Sequence, residues 1–72
     1  MARKEYIHNA VQEARGKSGM TQEELAEKVG VTRQTIISIE KGNYDPSVLL
    51  ALKIAHTFKL PLEEVFYITY EK

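Results

Sequence analysis

The sequence contains no cysteine among its 72 residues, so no disulfide staples the fold and no thiolate can hold a metal or attack a substrate. Histidine is nearly as scarce. His8 and His56 are the only two and lie far apart, whereas a structural zinc site takes about four nitrogen or sulfur ligands, so neither metal nor cofactor is expected. With two prolines and four glycines, there is no low-complexity stretch, and no internal repeat is visible. No apolar run approaches the roughly 20 residues of a membrane span, and the amino terminus lacks a signal-peptide core. A membrane partner is therefore not expected, and the expected compartment is the cytoplasm. Charge of one sign is missing too: ten basic and ten acidic residues cancel. That excludes a basic carpet, so any affinity for nucleic acid must come from charges gathered on one face.

What remains is an ordinary folding composition, 43% hydrophobic and 28% charged, unlike that of a disordered chain. The length allows one domain, 1–72, whose core is small because a chain of this size buries only about 60% of its unfolded surface. The apolar pattern is helical nearly throughout, in short pieces. A first helix is expected over Asn9–Lys17, with Val11 and Ala14 inward, a last turn frayed by Gly16, and Gly19 ending it in the left-handed conformation. Thr21 and Glu24 have capping-box spacing and start a second helix whose inner face carries Leu25, Ala26 and Val29. Glu23, Glu24, Glu27 and Lys28 fill the opposite arc, where a solvated face is a better reading than acid–base or metal chemistry. Gly30 breaks that helix, and Thr32 caps a third reaching Lys41. After the loop Gly42-Asn43-Tyr44-Asp45-Pro46, Ser47 caps a fourth helix to Phe58, and Leu62–Phe66 makes a short fifth. The tail Tyr67-Ile68-Thr69-Tyr70 alternates with period two and reads as a strand, with Glu5-Tyr6-Ile7 as its partner.

Two short helices joined by Val29-Gly30-Val31 form a helix-turn-helix over 22–41. At about 100° per residue, Arg33, Gln34, Ile37, Ser38 and Lys41 share one arc of the third helix, while Thr35, Ile36 and Ile39 share the other. The outer arc has the chemistry of base-edge reading. Arginine bonds two acceptors on guanine, glutamine bonds adenine in the same two-pronged way, serine serves either, and a thymine methyl suits Ile37.

The run Thr21-Gln22-Glu23-Glu24-Leu25-Ala26-Glu27-Lys28-Val29-Gly30-Val31-Thr32-Arg33-Gln34-Thr35-Ile36 strongly resembles the Cro/C1-type (XRE) helix-turn-helix family. The likeness continues through Ile39–Ser47 and Leu52–Ala55. It covers nearly all of residues 9 to 66, and the short length and strand-like tail are similar to small stand-alone regulators of the cytolysin-operon repressor type. The resemblance implies a mainly α fold, a five-helix bundle with a small terminal two-stranded β-ribbon. It also implies a transcriptional regulator, a repressor acting on double-stranded operator DNA as a homodimer. Base contacts are then expected from Arg33, Gln34, Ser38 and Ile37. Phosphate contacts are expected from Gln22, Thr32, Asn43 and Tyr44, with Arg15, Lys17 and Lys41 nearby. Lys59 stands where glycine often ends the fourth helix, so a strained turn is expected, and Ala14 is smaller than the usual aliphatic.

The fourth helix is apolar over about 200° of arc, wider than the roughly 100° one bundle face needs. Packing against the fifth helix explains the excess; so does a subunit interface in which Leu50 and Ile54 join Phe66, Ile68 and Tyr70 of a dimerisation tail over 66–71. Leu49, Lys53 and His56 fall on a polar flank. A rival function is an antitoxin-like protein-interaction module on the same fold. An enzyme is not expected, because no nucleophile, base and orienting group cluster and the glycines form no phosphate loop.

Overall fold

Helix boundaries in this chain are set by short-range hydrogen bonds that its own side chains supply. The computed structural model describes residues 4–70. The order is β1 (Glu5–Asn9), α1 (Val11–Ser18), α2 (Gln22–Val29), α3 (Arg33–Glu40), α4 (Val48–Thr57), α5 (Leu62–Val65) and β2 (Phe66–Tyr70). At the start of α2, Thr21 Oγ1 accepts from the Glu24 amide at 3.0 Å and Glu24 Oε1 accepts from the Thr21 amide at 2.8 Å, a complete capping box. Thr32 and Ser47 cap α3 and α4 by accepting from the amides of Thr35 and Leu50.

The four long helices also end alike. One residue past the end of α1 and α2, and two past the end of α3 and α4, the backbone adopts positive φ, and the next amide reaches back five residues: Met20 to Arg15, Val31 to Ala26, Asn43 to Ser38 and Leu60 to Ala55. This Schellman closure satisfies carbonyls that the helix leaves open. Glycine makes the turn at the first three ends. At the fourth it is Lys59, at φ 57°, where a Cβ crowds the backbone. The strain expected at Lys59 is therefore present. The fraying expected around Gly16 is not: α1 stays helical to Ser18, whose hydroxyl donates to the Ala14 carbonyl at 3.0 Å.

The closures aim apolar side chains inward. Met20, Val31 and Leu60 pack against a core of Val11, Leu25, Ala26, Val29, Ile36, Ile39, Leu50, Ile54, Ala55 and Val65. Each large aliphatic side chain so buried contributes about 1.5–3 kcal/mol. Ala14 is buried as well. α5 ends at Val65, and Phe66 opens β2. The strands pair antiparallel with Glu5 opposite Tyr70 and Asn9 opposite Phe66. Asn9 anchors the ribbon: its Nδ2 donates to the Ile39 carbonyl at 2.8 Å and its Oδ1 accepts from the Val11 amide. Of the tail 66–71, residue 71 lies outside the described residues.

The phase of α4 corrects the expected interface. Leu50 is 8% exposed and Ile54 is sealed completely, so both belong to the core and cannot meet another subunit. Phe66 is half-buried against the same core. The large apolar residues that α4 leaves in water are Val48, Leu49 and Leu52. Among the described residues, no helix is long and apolar enough to cross a membrane.

Candidate nucleic-acid interface

The third helix is pinned from one side only. Ile36 and Ile39 are fully buried, and Ala26 on α2 is small and buried where the helix-turn-helix closes. That docking turns Arg33 and Gln34 into solvent and leaves Ile37 and Ser38 half-buried along the same outer edge. The helix is eight residues long, about 12 Å at 1.5 Å per residue, short enough for its whole outer face to lie within one groove.

A polar hollow flanks this helix on each side. One is lined by Arg15, Thr21, Gln22, Glu23 and Arg33, joining the start of α2 to the start of α3. The other is lined by Thr32, Gln34, Thr35, Ser38, Asn43 and Tyr44. Two helix amino termini therefore open toward these hollows, and helix amino termini favour anions. Of the residues expected at phosphate, Gln22 and Thr32 sit at the two helix starts. Asn43 and Tyr44 stand beside Ser38, because the Gly42 turn carries the Asn43 amide back to the Ser38 carbonyl at 2.9 Å. Tyr44 is 47% exposed, so its ring does not serve as a lid on the core.

Behind the first hollow lies a nearly buried ion pair. Glu40, with its side chain 5% exposed, accepts from Arg15 Nε at 2.8 Å, from Arg15 Nη2 at 3.2 Å and from Gln22 Nε2 at 3.0 Å. Arg15 Nη1 donates to the Met20 carbonyl at 3.0 Å. The hydrogen bonds it donates to Glu40, with that carboxylate's charge, hold the Arg15 guanidinium above its ordinary pKa against the opposing effect of burial. Arg15 is thus also an internal strut: each of its three guanidinium nitrogens donates to the protein itself, which leaves two of its five N–H groups for the hollow it lines. Gln22 has one amide hydrogen held by Glu40 and keeps a second donor.

The two lysines expected nearby are exposed but do not line the hollows beside α3. Lys41 forms the carboxyl-terminal cap of α3 and lines a separate hollow with His8, Gln12 and Glu13. Lys17 lies in the last turn of α1. Two participants escaped the sequence reading. Thr35, placed on the apolar arc, lines the second hollow, its hydroxyl 3.0 Å from that of Thr32. Glu40 had no local signal, since its partner Arg15 is twenty-five residues away. Both histidines are exposed, and His8 stacks at a tilt on Tyr67 with ring centroids 5.3 Å apart. Among the described residues, no three metal-ligating side chains gather.

Comparison with known proteins agrees with this geometry. Residues 11–65 match the Helix-turn-helix family. The HTH-type transcriptional regulator YgzD of Bacillus subtilis (strain 168) is 54% identical over 65 residues, spanning 90% of this chain and 98% of its own. An HTH-type transcriptional regulator of Archaeoglobus fulgidus is 53% identical over 60 residues, spanning 83% of this chain and 86% of its own. Among solved structures, the restriction-modification controller protein C.AhdI from Aeromonas hydrophila superposes with a TM-score of 0.70 at 30% identity, over 75% of this chain and 82% of that one. A helix held by its apolar stripe, with polar side chains outward between two polar hollows, is the reading element of a known class of regulators, and this chain belongs to it: the Cro/C1-type (XRE) helix-turn-helix family of DNA-binding transcriptional regulators.

Proposed function

We propose that the protein is a repressor that works in the cytoplasm, binding a palindromic operator as a homodimer. The observation that carries this reading is the division of α3, with Ile36 and Ile39 sealed in the core and Arg33 and Gln34 in solvent. In the major groove, Arg33 would donate two hydrogen bonds to a guanine, Gln34 would pair with an adenine edge, Ser38 would serve either, and Ile37 would meet a thymine methyl. Gln22, Thr32, Asn43 and Tyr44 would hold phosphates on either side, and the exposed Lys17 and Lys41 would add longer-range attraction. Two-fold symmetry then sets the two half-sites about 34 Å apart, one helical turn. Repression follows from occupying promoter DNA.

The balanced charge predicts that few phosphates are neutralised per subunit, so affinity falls with salt along a shallow slope. Fluorescence anisotropy against a selected operator and a random duplex, at several salt concentrations, tests the reading. Salt-dependent binding with clear preference for the operator supports it. Equal affinity for both duplexes, or no effect of salt, refutes it.

A further inference from the structure

Glu40 closes the reading helix, and its carboxylate gathers side chains from two other helices. Oε2 accepts from Arg15 Nε of α1 at 2.8 Å, and Oε1 accepts both from Arg15 Nη2 at 3.2 Å and from Gln22 Nε2 of α2 at 3.0 Å. An ion pair that only braced the bundle would be complete with Arg15 alone. The bond to Gln22 is the one to explain, because Gln22 lines the hollow between the starts of α2 and α3 together with Arg33. That bond also sets Gln22 apart. The sequence has three glutamines, Gln12, Gln22 and Gln34, and among the described residues only Gln22 has its side-chain amide tied to the protein itself. Gln34, on the reading face, is exposed.

We propose that Glu40 is a positioning residue for DNA: its bond to Gln22 fixes which end of that amide meets a phosphate and sets the contact in register with the reading helix. This rests on the reading that Gln22 holds a phosphate. A phosphate oxygen only accepts, whereas a glutamine amide carries two N–H donors at one end and a carbonyl acceptor at the other. An untied amide can present either end, and its carbonyl end repels the phosphate. A carboxylate also only accepts, so Glu40 draws the NH2 group toward itself and leaves its second N–H over. That N–H is ordered before DNA arrives, which removes part of the side-chain ordering that association otherwise requires. Charge alone argues the other way, since a carboxylate close to a phosphate disfavours it. Arg15 cancels that charge inside the protein, so the pair brings no net charge to the hollow. Glu40 belongs to α3 and Gln22 opens α2, so the bond holds the phosphate contact at a set distance from the base readers. Phosphate contacts orient a protein on the duplex, and base contacts then read the sequence.

Two measurements on the full chain test the proposal. In the first, Gln22→Ala is made in the wild type and in the double variant Arg15→Met with Glu40→Met, which fills the junction without charge. Fluorescence anisotropy then reads binding to a selected operator and to a random duplex. Gln22→Ala should weaken wild-type binding by about tenfold, as expected for a hydrogen bond to a charged group. In the double variant it should cost less than about threefold, because the amide there is already untied. The double variant itself should lose affinity for both duplexes by the same factor, as a weakened phosphate contact does; a relaxed base preference would mean that α3 had shifted, and overturns the proposal. An equal loss from Gln22→Ala in both backgrounds overturns the positioning role and leaves Gln22 as a phosphate contact. No loss in the wild type overturns the proposal together with that contact. The second measurement needs no variant to fold: side-chain 15N relaxation of the free wild type. The Gln22 amide should approach the rigid-backbone order parameter of about 0.85, with Gln34 below about 0.6. A Gln22 amide as mobile as that of Gln34 overturns the proposal.

Discussion

Replacing Glu40 with alanine removes the acceptor shared by Arg15 and Gln22 and leaves a guanidinium in a site where its side chain is only 16% exposed. Breaking a buried ion pair from one side costs about 3–5 kcal/mol, and the residual access of water to Arg15 puts this case near 3. A domain of this length has a total stability of roughly 4–11 kcal/mol. The loss should therefore lower the melting temperature by about 12–24 °C, at roughly 4–8 °C per kcal/mol for a domain this small. Thermal melts by circular dichroism at fixed protein concentration measure it. The companion is Arg15→Met with Glu40→Met, which removes both charges, fills the volume and should recover most of the loss. A fall of less than about 4 °C in Glu40→Ala would show that the pair does not brace the three helices. A double variant as unstable as Glu40→Ala would show that lost packing, rather than an uncompensated charge, was responsible.

Three further outcomes follow. Arg33→Ala should weaken operator binding by about 1–3 kcal/mol and relax preference at one base pair with little change in melting temperature; an unfolded variant, or one with specificity intact, contradicts the face assignment. Lys59→Gly should stabilise the domain by about 1 kcal/mol by relieving the positive φ, seen as a rise of roughly 4–8 °C; a fall would mean that the turn is unstrained. Both hydrogen bonds to Thr21 hold Glu24 below its ordinary pKa of 4.5, so its cap is fully present above 4.5 and is lost as the pH falls through the lower folded value. Urea midpoints across that range should fall with acid in the wild type and change less steeply in Glu24→Gln; parallel curves would show that the capping carboxylate is not titrating.

Several of these elements were legible because their signals are local. The Thr21–Glu24 pair, the caps at Thr32 and Ser47, and the glycine turns each act within a few residues, and the structure contains them all. The face of α3 was legible because only Ile36 and Ile39 could be buried together without drawing Arg33 or Gln34 inward. The phase of α4 was not. Val48-Leu49-Leu50-Ala51-Leu52 is apolar on every side, so periodicity alone cannot say which members the bundle takes; contact with α2 and α5 decides, sealing Leu50 and Ile54. The ion pair of Arg15 was hidden for a related reason. From sequence Arg15 is a basic residue at a helix end near the reading unit, and only the tertiary fold brings Glu40 to it. Thr35 falls at the boundary between arcs, where a small hydroxyl is at home on either.

Selection of bound duplexes from a random pool, run in parallel with the wild type and Arg33→Ala, tests the central claim most directly. The account predicts enrichment of an inverted repeat with half-site centres about one helical turn apart, and loss of one base preference in each half when Arg33 is removed. Enrichment of no sequence, or of the same symmetric site with every position unchanged in Arg33→Ala, would contradict it.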